Sequence, residues 1–170
     1  ISSALGELST PESTRALLSL LQKGVVDEDV IYRALAKSGD ASAQQALLAA
    51  AESGKGSALA TLSSLEGPQV QAWMLRALDS GDSARLQAAA SYFSGHADEA
   101  AIASLSKLLR SDRPEHAQAA LQALGNIGGR AACAALEELA GRPGPLQGMA
   151  LGSLAQQPEA AERARALALS

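Results

Sequence analysis

Apolar positions recur along the chain with a helical period, and the whole pattern recurs about every thirty residues. One column of leucines runs Leu18, Leu48, Leu75, Leu105, Leu136 and Leu167, in steps of 30, 27, 30, 31 and 31. A second column lies half a period away, at Leu5, Leu35, Leu62, Tyr92, Leu124 and Leu151. Two apolar columns per period mean two helices per repeat. A repeat of that size cannot bury its apolar faces alone, so neighbours must stack. The pattern predicts an all-α fold, a right-handed α–α superhelix of about five helix pairs with flanking half-repeats.

Helix limits follow from the polar punctuation. Gly24, Gly39, Gly54, Gly67, Gly81, Gly95, Gly128 and Gly141 each follow an apolar-periodic segment, where a helix end favours positive φ. All six prolines fall in linkers or first turns. Thr10 reads as an N-cap, with Glu12 well placed at the positive helix end. The predicted pairs are 11–23 with 27–38, 41–53 with 56–66, 68–80 with 82–94, 97–110 with 113–127, and 130–140 with 145–156. Residues 1–8 read as a second helix without its first, and 158–170 as a first helix without its second. Residues 1–170 are therefore expected to form a single solenoid that is a window onto a longer array. No run of alternating polarity suggests a strand.

Composition sharpens this picture. The chain holds 38 alanines and 27 leucines, and its only aromatic residues are Tyr32, Trp73, Tyr92 and Phe93. Such a composition favours helices packed close together. The net charge of −4 and the lack of a basic tract argue against nucleic acid, because phosphate neutralisation supplies most of that affinity. No apolar run of 18 residues is present, so membrane insertion is not expected, and a soluble chain could be cytoplasmic or periplasmic. Cys133 is the sole cysteine, which rules out an internal disulfide and a multi-cysteine zinc cluster. Its column holds Ile102 and Ala72, so it reads as a small buried apolar residue.

Residues 113–129, RPEHAQAALQALGNIGG, carry the clearest motif. The segment resembles the short HEAT-type repeat found in phycobiliprotein lyase subunits and many bacterial scaffold proteins, whose pattern is Asp-Pro-x-Val-Arg-x-x-Ala-x-x-Ala-Leu-Gly-x-Ile-Gly. ALGEL at 4–8 and ALGSL at 150–154 echo its ending. The small residues after the second-column leucine, Gly6, Ala36, Ser63, Gly125 and Gly152, would let neighbouring helices approach closely. The family's early arginine, which builds a ladder along the stack, falls here on Glu28, Lys55, Arg85, Ala117 and Gly144; only Arg85 keeps it. The resemblance implies a non-catalytic protein–protein interaction or scaffold module with a protein partner. The alternative it leaves open is a lyase-like or chaperone-like subunit handling a protein-bound prosthetic group.

Nothing along the chain adds catalytic chemistry, and no cofactor is expected. Relatives that hold iron carry repeated His-Glu pairs, and the two histidines, His96 and His116, form none. They read as a surface-turn and a helix-start histidine, so no metal is expected. The chain contains no Gly-x-Ser-x-Gly elbow, and GNIGGR at 125–130 fails the spacing of a phosphate loop. Asp27–Glu28–Asp29 and Asp98–Glu99 lie at helix starts, and Glu137–Glu138 on an exposed face.

One repeat departs from the others. Trp73 stands in a column of Ala16, Ala46, Ala103 and Ala134; Tyr92 replaces a leucine; Phe93 occupies the small-residue column. Arg85 and His96 belong to the same repeat, and the short step of 27 lies just before it. Two readings compete. The large side chains fill a gap left by the shortened repeat, or Arg85, Tyr92, Phe93 and His96 form a partner-binding patch.

Overall fold

The computed structural model describes residues 10–96, 98–158 and 160–169. Among them the chain forms eleven helices and no strand. In order these are α1 Pro11–Lys23, α2 Glu28–Ser38, α3 Ala41–Glu52, α4 Gly56–Leu62, α5 Pro68–Leu78, α6 Ser83–Gly95, α7 Glu99–Leu108, α8 Pro114–Ile127, α9 Gly129–Ala140, α10 Gln147–Ala155 and α11 Ala161–Ala168. The half-repeat expected at 1–8 lies outside the described residues.

The caps explain the limits. Thr10 Oγ1 accepts the Ser13 N–H at 3.2 Å, and the Ser13 hydroxyl oxygen accepts the Thr10 N–H at 3.2 Å, with Pro11 opening the first turn of α1. Asp27, Asp82 and Asp98 cap α2, α6 and α7, accepting from the N–H groups of Asp29, Arg85 and Ala101. Such a cap contributes about 1 kcal/mol. Gly24, with φ of 63°, ends α1 by donating its N–H to the Leu21 carbonyl. Gly141 differs from expectation: its φ is −74° and it simply continues the last turn of α9. Helix α4 stops at Leu62, short of the predicted end. There the Ser63 and Ser64 hydroxyls donate to the Ala60 and Thr61 carbonyls, offering the backbone an alternative to further helix.

Residues 1–73 and 74–170 form two compact units. Within each, helices pack in adjacent pairs and also in two rows. In the first unit α1 packs on α2 and α3 on α4, while α1 touches α3 and α2 touches α4. In the second, α7 packs on α8 and α9 on α10. There the odd helices α7, α9 and α11 follow one another, as do the even helices α6, α8 and α10. This is the HEAT-like arrangement of stacked helix pairs that the two apolar columns predict.

The columns themselves need one correction. Leu18, Leu48 and Leu75 are only half-buried, whereas Leu17, Leu47 and Met74 are fully buried. The inner column runs 17, 47, 74, 105 and 136. Neighbours on a helix point about 100° apart, so each adjacent apolar pair offers two candidates and the core takes the first. In the second column Leu35, Leu62, Tyr92 and Leu124 are all buried. At its end Ala150 and Leu154 are buried and Leu151 only half so. Leu5 and the Leu167 side chain lie outside the described residues.

Gly125 is the tightest point of the even row. A Cβ placed there would lie 3.2 Å from Ser153 Oγ and 3.3 Å from its Cβ, so a glycine lets α8 approach α10. At Gly152 a Cβ would meet open space, so the close approach expected there does not occur.

Candidate functional site

Helix α6 gathers the residues that the sequence singled out. Tyr92 and Phe93 meet edge to face, with ring centroids 5.0 Å apart and planes at 87°. The His96 ring stacks on Tyr92 at 4.4 Å and 11°, and its Nδ1–H donates to the Tyr92 carbonyl at 2.9 Å. Phe93 is 0% and Tyr92 3% exposed, so both rings belong to the core of the 74–170 unit and offer no surface to a partner. Of the four proposed patch residues only Arg85 and His96 reach solvent, each half-buried. Burial is what a packing role requires: a ring at position 93 supplies contact area where other repeats carry a small residue. Trp73, at the end of the 1–73 unit, is buried too, and its Nε1–H donates to Glu52 Oε1 at 2.8 Å.

His116 lies at a helix start, as its sequence position predicts, and it is buried there. It is 4% exposed, and its Nε2 is hydrogen-bonded to Ser83 Oγ at 3.2 Å. The repeat pattern has valine at this position, which is a core position; the histidine stays there because it finds a polar partner one repeat away. Arg113 reinforces the same junction by donating from Nη1 to the Gly81 carbonyl at 2.7 Å. Cys133 is buried, as its column predicts. Glu138 is exposed but Glu137 is half-buried.

The ladder positions also do more than their residue types suggest. Glu28 and Lys55, one repeat apart, form an ion pair at 3.0 Å. The hydrogen bond to Glu28, and then its charge, raise the Lys55 pKa above the ordinary lysine value. Tyr32, buried beside this pair, has its pKa raised, first by burial and then by the Glu28 carboxylate.

The even row of the 74–170 unit carries two adjoining open depressions that share a border on α8. The one between α6 and α8 is lined by Gln87, Ser91, Ser94 and Gln122 among others; the one between α8 and α10 is lined by Asn126, Ser153 and Gln156 among others. Gln122 and Asn126 line both, and no charged side chain lines either. Ala90, Ala119, Ala123 and Gly125 keep them shallow. From sequence the second-helix surface reads as rich in Ala, Ser and Gln, a composition suited to protein contact, and side chains of these types line the even row. A separate cleft of about 440 Å³ lies between α2 and α4, bordered by Asp29, Arg33 and Lys37 and by no aromatic ring. None of these grooves is an aromatic-lined cavity of the kind that handling a prosthetic group calls for.

Among the described residues, no three histidine, cysteine, aspartate or glutamate side chains converge in a way that could hold a metal ion. No described helix is long and apolar enough to cross a membrane.

The family model for HEAT repeats matches residues 71–155. No curated protein matches the chain. HEAT repeats are generally protein-interaction or scaffold modules and are typically non-catalytic. The match spans half of the chain and coincides with the paired, two-row packing of its helices; the chain belongs to the HEAT-repeat family.

Proposed function

We propose that the chain is a non-catalytic protein-interaction module that holds a partner along the even row of the 74–170 unit. The resemblance of residues 113–129 to the short HEAT-type repeat of bacterial scaffold proteins supports this reading. The observation that carries the proposal is the pair of uncharged depressions along α6, α8 and α10. Amide side chains at 87, 122 and 126 each present donors and an acceptor, and so match a peptide backbone group for group. Hydroxyls at 91, 94 and 153 can do the same, and the small residues between them let a main chain come close. Phosphates would find no cation in either depression.

Site-specific photocrosslinking tests the assignment. A benzophenone amino acid replaces Gln87 or Gln122 in one set of variants, and the exposed Glu99 of α7 in a control. In the cells that make the protein, discrete protein adducts are expected at 87 and 122 and not at 99. Adducts at 99 alone, or at none of the three, would sink the proposal.

A further inference from the structure

The odd row of the same unit carries a second feature, unlike the even-row depressions in every chemical respect. Arg110, just past α7, and Arg142, just past α9, both donate from Nη2 to Glu138 Oε1, each at 2.6 Å. One carboxylate oxygen thus holds two guanidinium groups side by side. Lys107 stands at the same cleft, so three cations face one carboxylate, on a chain whose net charge is −4. Leu109 and Leu139 supply an apolar lining. The cleft measures about 160 Å³, which suits a carboxylate with its methylenes and is below the usual size of a cofactor pocket.

We propose that this cleft is a docking site for an acidic segment of a partner protein. A partner carboxylate is taken by Arg110 and Arg142, and an adjacent apolar side chain rests on Leu109 and Leu139. Three arguments support that occupant. First, each guanidinium has five N–H donors and a single acceptor oxygen in Glu138 engages one nitrogen of each, so donors remain for an incoming anion. Second, the cleft already accommodates a carboxylate of its own, which shows the geometry that such a group would meet. Third, the apolar lining of Leu109 and Leu139 rewards a carboxylate carried on a hydrocarbon stem, which a phosphate on a sugar backbone does not offer. The site lies on the odd helices and stands independently of the even-row depressions.

Fluorescence anisotropy on the whole chain provides the test. The probes are a short labelled peptide alternating leucine with glutamate, its glutamine counterpart, and a labelled oligothymidylate. The glutamate peptide is expected to bind, and to bind at least fivefold more tightly than the glutamine peptide. Arg142→Gln and Lys107→Gln, with circular dichroism confirming the fold, should each weaken it by about threefold to tenfold. Glu138→Gln should strengthen it, because the internal competitor is removed while both arginines stay. Gln122→Ala, in the even-row depressions, should leave it unchanged. Equal affinity for the two peptides, or no binding of either, overturns the proposal. So do tighter binding of the oligothymidylate and a Glu138→Gln variant that loses stability without gaining affinity. That last result would mark the cluster as a surface ion-pair network only.

Discussion

The two units tie consecutive even helices together at the same place in the repeat, by opposite means. In the 1–73 unit, Glu28 opens α2 and Lys55 precedes α4; their ion pair is exposed, with side chains 45% and 50% accessible. In the 74–170 unit, Ser83 opens α6 and His116 lies in the first turn of α8, and that bond has one buried end, His116, and one exposed end, Ser83. An exposed pair gains little over its separate hydration and is screened by salt. A bond with a buried end contributes little more in net terms, yet stranding the buried imidazole costs its desolvation. The first unit therefore carries a tie it can lose, and the second a tie that penalises misalignment. The core sharpens the contrast, since Phe93 and Tyr92 fill the second unit beside that junction's helix.

The largest expected effect is that of Phe93→Ala. Truncating this fully buried ring should cost about 3–5 kcal/mol in denaturant unfolding. A loss below about 1 kcal/mol would mean that the second unit does not depend on its rings. Next is Ser83→Ala, expected to cost roughly 1–3 kcal/mol by stranding His116, and Ser83→Ala combined with His116→Val should recover most of that loss. If the double variant is as unstable as the single one, the bond to buried His116 is not the source of the penalty. A smaller effect concerns alkaline pH. The Tyr32 pKa is raised above its ordinary value of 10.0, so the folded state holds that proton more firmly than the unfolded state does. The resulting stability is present below about pH 10 and is lost as pH rises through the folded value. Urea midpoints measured across that range should fall, and Tyr32→Phe should flatten the fall. Smallest of all, Lys55→Ala should leave stability nearly unchanged, with any difference shrinking as salt is added. A larger, salt-independent loss would erase the contrast between the units.

The repeat, the helix pairing and most helix starts were legible because they rest on local chemistry: apolar period, capping side chains, proline and glycine. The inner column was legible only to within one residue. Leu17–Leu18, Leu47–Leu48 and Met74–Leu75 are each two apolar residues in a row, and the choice between them depends on what packs opposite. The site was harder to read. Tyr92 and Phe93 stood out by type, but a ring in a small-residue column suits a core and a surface equally until burial is known. The helix-start placement of His116 was legible, but its burial was not, because its partner Ser83 is 33 residues away. Arg110 and Glu138 are likewise 28 residues apart, and only stacking brings them together. Their neighbour Arg142 is four residues from Glu138 on the helical repeat, a local pairing open to sequence inspection.

The close approach at Gly125 bears on how a surface of this kind could measure its partner. Packed helices are about 8–10 Å apart, and an extended chain advances about 3.2–3.4 Å per residue. A polypeptide lying across the even row would thus meet equivalent positions about every three residues. At Gly125 even a Cβ would crowd Ser153, so the α8–α10 spacing depends on that position staying bare. A partner would then be registered in steps of three, like a vernier, and one extra methyl group at position 125 would shift the scale.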